Sequence, residues 1–371
     1  MKKILVTGGP VHAHLDSVKI ITNRFKGGLM AVLVEDLLEE NVEVHYISSK
    51  AAVIPRGLPW NNGHEHLGFN DYKKKVLNMA PAFDAVVLGA AVCNLIPVKQ
   101  IKGKFPSHNY KPGDIIPIDF TIAPRIIDEV KRVAPNTHLF GYKLLAGVPH
   151  EELIQAAYDI VLESRATCVF ANDASNLERK FAVTKEGSEH EISYRDVSKF
   201  IMKIVNDKYY KTDLLSGHVQ YDSMLDDKTQ EMISLVDRFK EKFVEKNGYI
   251  FGTVALRVRT SDPDSITFVT TARGKNEIKD FTVVSRVDHD ERIVNANKKR
   301  ATLNAPLLAR IFELNPKVNV IVHYHDIKTG LKVLPYAPPG TERDSLRPDE
   351  DLMSDFEIEN HGVFRMFKEI I

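Results

Sequence analysis

The feature that most constrains this chain is a repeated switch between two hydrophobic periods over its first two hundred residues. Lys3 to Val6 is a short apolar run, Leu29 to Glu40 places apolar residues on one helical face, and Val42 to Ile47 is again extended. This strand, helix, strand order returns. Asp71 to Met79 predicts a helix before the apolar strand Ala85 to Ala91, and His138 to Tyr142 and Cys168 to Ala171 predict strands around a helix from His150 to Leu162. Parallel neighbours need a crossover connection, so this alternation predicts an α/β fold with a doubly wound parallel sheet. Ligands in such sheets bind beyond the carboxyl ends of the strands.

A length of 371 residues favours two domains. Fifty basic side chains balance fifty acidic ones, which removes the bulk field that would draw the chain onto nucleic acid or an anionic membrane. The longest apolar stretch, Ala85 to Cys93, is far short of the roughly 20 residues that span a bilayer. A soluble, cytoplasmic protein acting on small molecules is expected. Its two cysteines, Cys93 and Cys168, lie in apolar runs and exclude a disulfide framework.

Two segments after predicted strands are unusual. Thr7-Gly8-Gly9-Pro10 permits a tight turn and close backbone approach to a phosphate or ribose, although a turn with no ligand fits these residues as well. Ile20 to Gly28 ends in two glycines before the amphipathic helix. Backbone N–H groups there suit an anion, with Arg24 and Lys26 adding charge; a solvated capping loop is the alternative.

The order of these segments resembles the phosphopantothenoylcysteine synthetases, also called phosphopantothenate-cysteine ligases. Ile4 to Pro10, Leu15-Asp16, Ile21-Thr22-Asn23-Arg24 and Gly27 are similar to the family's opening signature. Ala90-Ala91-Val92 with Pro97, then Ile101-Lys102, Gly141 and Ala171-Asn172-Asp173 follow in the family's order. The resemblance covers about Lys2 to Val205 and implies a Rossmann-like domain over 1–205. It implies a reaction in which CTP or ATP with Mg2+ activates the 4′-phosphopantothenate carboxylate as an acyl nucleotidylate, which cysteine then converts to an amide. Asn23 and Lys102 would be catalytic. Gly8, Gly9, Pro10, Arg24, Lys26, Gly27, Ala90, Ala91, Asn94, Lys99, Lys104 and Asn172 would bind nucleotide and substrate, in a homo-oligomer. The chain departs from the family pattern at several positions. Phe25 and Lys26 replace two serines, Asn94 stands near an expected aspartate, Gln100 replaces a lysine, Tyr142-Lys143-Leu144 alters an aromatic-acidic pattern, and His12-Ala13-His14 replaces an Arg-Glu-Pro segment.

Asn206 to Asp227, with mixed charge and no clear period, suits a docking segment or, as expected here, a linker over 206–227. Lys228 to Lys246 then has helical spacing, stopped by Asn247-Gly248; strands follow at Thr253 to Arg257 and Ser265 to Thr270, and a helix at Ala305 to Leu314. The apolar strand Val318 to Val322 delivers His323-Tyr324-His325. Pairs of histidines with one residue between them also occur at His12/His14 and His64/His66, the last in a polar loop and expected to be solvated. Taken alone, His323 and His325 are either metal ligands on one strand face or two satisfied histidines. This region resembles the class II aldolase and adducin family through Thr270 to Gly274, Leu314 to His325, Tyr336 to Thr341 and Asn360-His361-Gly362. The resemblance implies a shortened α/β domain over 228–371 with Zn2+ or another divalent metal on His323, His325 and His361. Asn304 stands where family aldolases place a glutamate, and an amide is neither acid nor base. Three readings result: a phosphopantothenate-cysteine ligase with an accessory zinc module, a zinc-dependent aldolase or lyase on a sugar phosphate with a degenerate nucleotide-binding domain, and a non-catalytic regulatory or assembly protein.

Overall fold

The structure, a computed structural model, describes residues 1–215, 217–246, 249–262, 265–273 and 279–369. It divides into two compact units, Met1–Val205 and Asn206–Ile371. Gly274 and the predicted helix stop Asn247-Gly248 lie outside the described residues.

The first unit is built on eight strands: β1 (Lys2–Gly8), β2 (Val42–Ser48), β3 (Gly63–Glu65), β4 (Ala85–Leu88), β5 (His138–Leu145), β6 (Cys168–Asp173), β7 (Asn176–Thr184) and β8 (Glu189–Ser193). Their order is β8-β7-β6-β5-β4-β1-β2-β3. The six strands from β3 to β6 are parallel, and β7 and β8 extend the sheet as antiparallel strands. Strand order reverses between β1 and β4, and that reversal opens the crevice in which doubly wound sheets bind ligands.

Helix α1 (Gly28–Glu39) buries Met30, Leu33, Val34 and Leu37, the i, i+3, i+4, i+7 stripe that its sequence prescribes. With α5 (Val197–Val205) it covers the face carrying Ile4, Val6, Val44, Val87 and Phe140. Each such fully buried aliphatic side chain contributes about 1.5–3 kcal/mol relative to exposure. The alternating residues Leu5, Val86, Leu139 and Val169 are equally buried and point to the opposite face. That face carries α2 (Phe69–Met79), α3 (Ile127–Val133) and α4 (His150–Ser164).

The second unit is built on a sheet of nine strands: β9 (Lys211–Leu215), β10 (Thr253–Val258), β11 (Thr267–Thr271), β12 (Phe281–Asp288), β13 (Ile293–Asn297), β14 (Val320–Tyr324), β15 (Lys332–Leu334), β16 (Phe356–Ile358) and β17 (Gly362–Phe367). Their order is β9-β13-β12-β11-β10-β14-β17-β16-β15, antiparallel except for the two outermost pairs. Helix α6 (Val219–Phe239) packs on one face through Met232, Leu235 and Val236, and α7 (Ala305–Leu314) on the other through Leu308, Ile311 and Phe312.

The stretch 206–227 is not a linker. Lys211–Leu215 is an edge strand in register with Ile293–Asn297, and α6 begins at Val219 rather than near Lys228. Asp207 receives both arms of the Arg343 guanidinium at 2.7 and 2.8 Å. An edge strand pairs on one side only and keeps polar side chains, which is why its composition looked unstructured.

Candidate functional site

Gly8, Gly9, Gly27 and the segment Gly89-Ala90-Ala91 meet at the β1/β4 crevice. After β1 the chain runs alongside the chain leaving β4: the Gly89 amide donates to the Thr7 carbonyl at 3.2 Å and the Ala91 amide to the Gly9 carbonyl at 2.9 Å. Pro10–Val11 then pairs with Ala91–Val92. Gly9 and Gly27 have φ of 77° and 80°, and a Cβ on Gly27 would lie 2.2 Å from the Gly9 nitrogen. Glycine at position 27 is therefore what lets the start of α1 touch the turn after β1. Gly89 is held less strictly: a Cβ there would lie 2.0 Å from the Met30 sulfur, on a flexible side chain, and 3.2 Å from the Thr7 carbonyl oxygen. Gly89 belongs to no motif named above; its only sequence signal is that it closes the apolar run from Ala85.

Asn23 faces this junction. Its Nδ2 donates to the Ala91 carbonyl at 3.1 Å, which fixes the amide and leaves its second N–H for a ligand. Thr7, fully buried, accepts from the Tyr72 hydroxyl at 2.9 Å and the Ala90 amide at 3.3 Å. Tyr72 is a structural member of the site that no motif announced; its partner Thr7 opens the glycine turn. Burial pushes the Tyr72 phenol up, so it stays a neutral donor.

The Lys99 to Lys104 loop is tied to the segment after His14 by Asp16. This carboxylate, wholly shielded from solvent, accepts from the Val18 amide at 2.7 Å, the Lys19 amide at 2.5 Å and the Phe105 amide at 2.8 Å. Those bonds to the charged form hold its carboxyl well below the usual carboxylate range. Ser17 donates to the Gly103 carbonyl at 3.0 Å and Ile101 to the Leu15 carbonyl at 2.9 Å. Lys99, Lys102 and Lys104 are exposed on this loop, as are Arg24 and Lys26 beside the crevice. Asn94 is exposed and its carbonyl accepts from Ala123 at 2.8 Å. Asn172 is buried in β6, opposite Leu144 of β5, two strands from β4 and apart from the glycine junction.

In the second unit His323, on β14, His325, just past its end, and His361, before β17, place one ring nitrogen each within 4.8 Å of the others. It is the only group of this kind among the described residues. His323 and His361 are buried and His325 half-buried. The His323 Nδ1 lies 2.9 Å from the Val363 carbonyl, so it carries the proton and Nε2 keeps its lone pair for a metal. Gly362 makes the convergence possible: its φ is 144° and a Cβ there would sit 2.3 Å from the Tyr324 carbonyl oxygen. Glu357, in β16, accepts from the Lys328 and Thr329 amides at 2.8 and 2.9 Å and from the Thr329 hydroxyl at 2.8 Å. It thereby ties the loop leaving His325 to the strand that leads to His361. Asn304 is buried at the start of α7, and its Oδ1 has no hydrogen-bond partner among the described residues.

His64 and His66 are not solvated. His64 lies in β3, half-buried, with its Nε2 2.9 Å from the His45 Nδ1, and His66 is 1% exposed just beyond that strand. Parallel pairing of β3 with β2 draws this polar loop against the sheet edge, a long-range contact that its composition does not encode.

No helix among the described residues is long and apolar enough to cross a membrane. Residues 1–202 match the DNA/pantothenate metabolism flavoprotein C-terminal domain family. The chain is 29% identical over 174 residues to the coenzyme A biosynthesis bifunctional protein CoaBC of Thermococcus kodakarensis, covering 46% of this chain and 41% of that protein. The chain thus spans less than half the length of that relative. Among solved structures, it is similar to the DNA/pantothenate metabolism flavoprotein from Streptococcus pneumoniae at 24% identity, covering 54% of this chain and 96% of that one with a TM-score of 0.47. It is also similar to an L-fuculose 1-phosphate aldolase at 15% identity, covering 38% of this chain and 74% of that one with a TM-score of 0.30.

Proposed function

Because the chain belongs, through residues 1–202, to the DNA/pantothenate metabolism flavoprotein C-terminal domain family, we propose that its first unit is a carbon-nitrogen ligase of coenzyme A synthesis joining cysteine to 4′-phosphopantothenate. The observation that carries this reading is the glycine junction at the strand reversal, with Asn23 fixed beside it.

In this reading a nucleotide, CTP or ATP, lies across the crevice with its phosphates against the Gly8-Gly9 turn and the start of α1, whose amides and positive dipole end favour anions. A carboxylate oxygen of phosphopantothenate attacks the α-phosphorus, and pyrophosphate leaves. The cysteine amine then attacks the acyl carbon and loses a proton as the nucleoside monophosphate departs. The remaining Asn23 N–H holds the carboxylate without protonating it. Arg24, Lys26 and the lysines at 99, 102 and 104 balance charge that grows on the departing pyrophosphate. Asp16 spends its oxygens on backbone amides and the Lys19 ammonium, and Mg2+ bound with the nucleotide would supply charge neutralisation. The test is to incubate the protein with 4′-phosphopantothenate, cysteine, Mg2+ and either nucleotide, and to follow pyrophosphate release. No release above background with CTP or ATP sinks the proposal.

For the second unit the three converging imidazoles support a site for Zn2+ or another divalent metal on His323, His325 and His361. The donor set suits zinc, which with an open position would polarise a carbonyl or hydroxyl. Asn304 cannot move a proton as a carboxylate does, so a binding or structural metal module fits these residues better than an active aldolase. Metal content should fall when His323 and His325 are changed to alanine, and an unchanged stoichiometry rejects the ligand set. Cleavage of short sugar phosphates by the metal-loaded protein would restore the lyase reading.

A further inference from the structure

Lys180, on β7, is 2% exposed, and no carboxylate among the described residues lies near enough to offset its charge. Lysine is almost never buried this deeply without a pair. Its Nζ donates to the Leu177 carbonyl at 3.0 Å. The same nitrogen lies 5.9 Å from the centre of the Tyr142 ring, at the outer limit of a cation-π contact. Burial pushes the ammonium down to about 8, so it keeps its charge at neutral pH. Lys180 belongs to no motif of the resemblance, and neither the ligase reading nor the metal reading has a use for it.

The surroundings say what the charge is for. Lys180 and Ala182 share the face of the sheet that carries Tyr142 and Phe170. The Tyr142 hydroxyl is buried there with no hydrogen-bond partner among the described residues. Asn172, 4% exposed, follows Phe170 on β6 and pairs with Leu144 of β5. Leu144 is 39% exposed, so the covering of this face stops at the carboxyl ends of β5 and β6, and the cluster opens toward the edge where ligands bind. Lys180 has two N–H groups left after Leu177, and Tyr142 has its O–H. Buried donors with no acid between them ask for an oxygen. The ammonium reaches back from β7 toward β5, and β5 borders β4 at the crevice. The cluster thus lies about two strand spacings, or about 10 Å, from the glycine junction. A nucleotide with its phosphates at that junction carries its base to this distance.

We propose that Lys180, with Tyr142, reads a carbonyl oxygen of the nucleotide base, so that the first unit takes a pyrimidine rather than an adenine nucleotide. Cytosine and uracil both present O2 beside the ribose, whereas adenine presents ring nitrogens and an amino group but no oxygen. The proposal rests on the reading above that a nucleotide lies across the crevice. The test is isothermal titration of the full chain with CTP, UTP and ATP, each with Mg2+, repeated on Lys180→Met and Tyr142→Phe. CTP and UTP are expected to bind roughly tenfold tighter than ATP, and Lys180→Met to remove that advantage while ATP affinity stays as it was. Tyr142→Phe, which loses only the hydroxyl, should weaken CTP and UTP severalfold. Lys180→Met removes an unpaired buried charge, so its urea midpoint should equal or exceed that of the wild type. Equal binding of CTP and ATP overturns the proposal, as does binding of CTP without UTP, which would put the selection on the cytosine amino group. Equal loss of all three nucleotides in Lys180→Met overturns it in favour of a phosphate contact, and unchanged affinities with a lower urea midpoint overturn it in favour of a structural lysine. If CTP and UTP are selected while no pyrophosphate is released in the ligase assay, the activity proposal fails and the base reading stands. Pyrophosphate release as rapid with ATP as with CTP sinks the base reading and leaves the ligase.

Discussion

Exchanging each of two adjacent glycines for alanine separates the role of the crevice turn from that of the helix it starts. At Gly27 the φ of 80° belongs to the left-handed region, and the added Cβ would lie 2.2 Å from the Gly9 nitrogen and 2.7 Å from its Cα. The backbone conformation alone costs an alanine about 1–2 kcal/mol. Forcing a methyl group against a backbone that must shift adds about 1–3 kcal/mol. Gly27→Ala should therefore destabilise the protein by about 2–5 kcal/mol, or lose nucleotide binding if the turn moves instead. At Gly28 no atom lies within 4 Å of the added Cβ and the residue opens α1. Gly28→Ala should be neutral to stabilising, within about 1 kcal/mol, because alanine is the better helix former. Urea unfolding monitored by circular dichroism gives the stabilities, and pyrophosphate release gives the function. Equal behaviour of the two variants, or a Gly27→Ala protein within about 0.5 kcal/mol of wild type that binds nucleotide normally, would refute the packing argument.

Gly362→Ala, whose Cβ would collide with the Tyr324 carbonyl, should abolish stoichiometric zinc uptake; metal analysis after dialysis checks this. Glu357→Gln removes the charged acceptor of the Lys328–Thr329 turn and should weaken Co2+ binding roughly tenfold, read from the visible spectrum, while Glu357→Asp recovers part of the loss. Burial pushes His66, His138 and His190 down to about 4, so the folded state binds fewer protons than the unfolded chain between about pH 4 and 6.5. Stability should accordingly be full above pH 6.5 and decline as the pH falls toward 4, by on the order of 1 kcal/mol or more per histidine. Urea midpoints at pH 7.5, 6 and 4.5 measure it, and a flat profile contradicts the burial of these rings.

How much was legible differs from residue to residue. The α1 stripe and the α7 span Ala305–Leu314 could be read directly, because a helix buries residues at a fixed local spacing. Gly8, Gly9 and Gly27 were visible as glycines, but only the folded chain shows Gly27 seated on Gly9. Asp16 could be seen as part of a motif; its task of pinning the lysine loop through the Phe105 amide spans 89 positions and leaves no local trace. Edge strand β9 was hidden in a stretch that reads as a linker, and His66 in one that reads as solvated.

The sequence by itself determined the strand and helix alternation, the glycine turns and the histidines that can serve as ligands, because each is fixed by near neighbours in the chain. Asn360-His361-Gly362 could be matched to a third ligand by resemblance, but only the tertiary structure brings a His361 ring nitrogen within 4.8 Å of those of His323 and His325. At the other end of the chain, it set His66 beside His12, with the His66 Nδ1 accepting from the Gly68 amide. Both outcomes depend on strand pairing between distant segments, which sets distances and tautomers that no run of residues specifies.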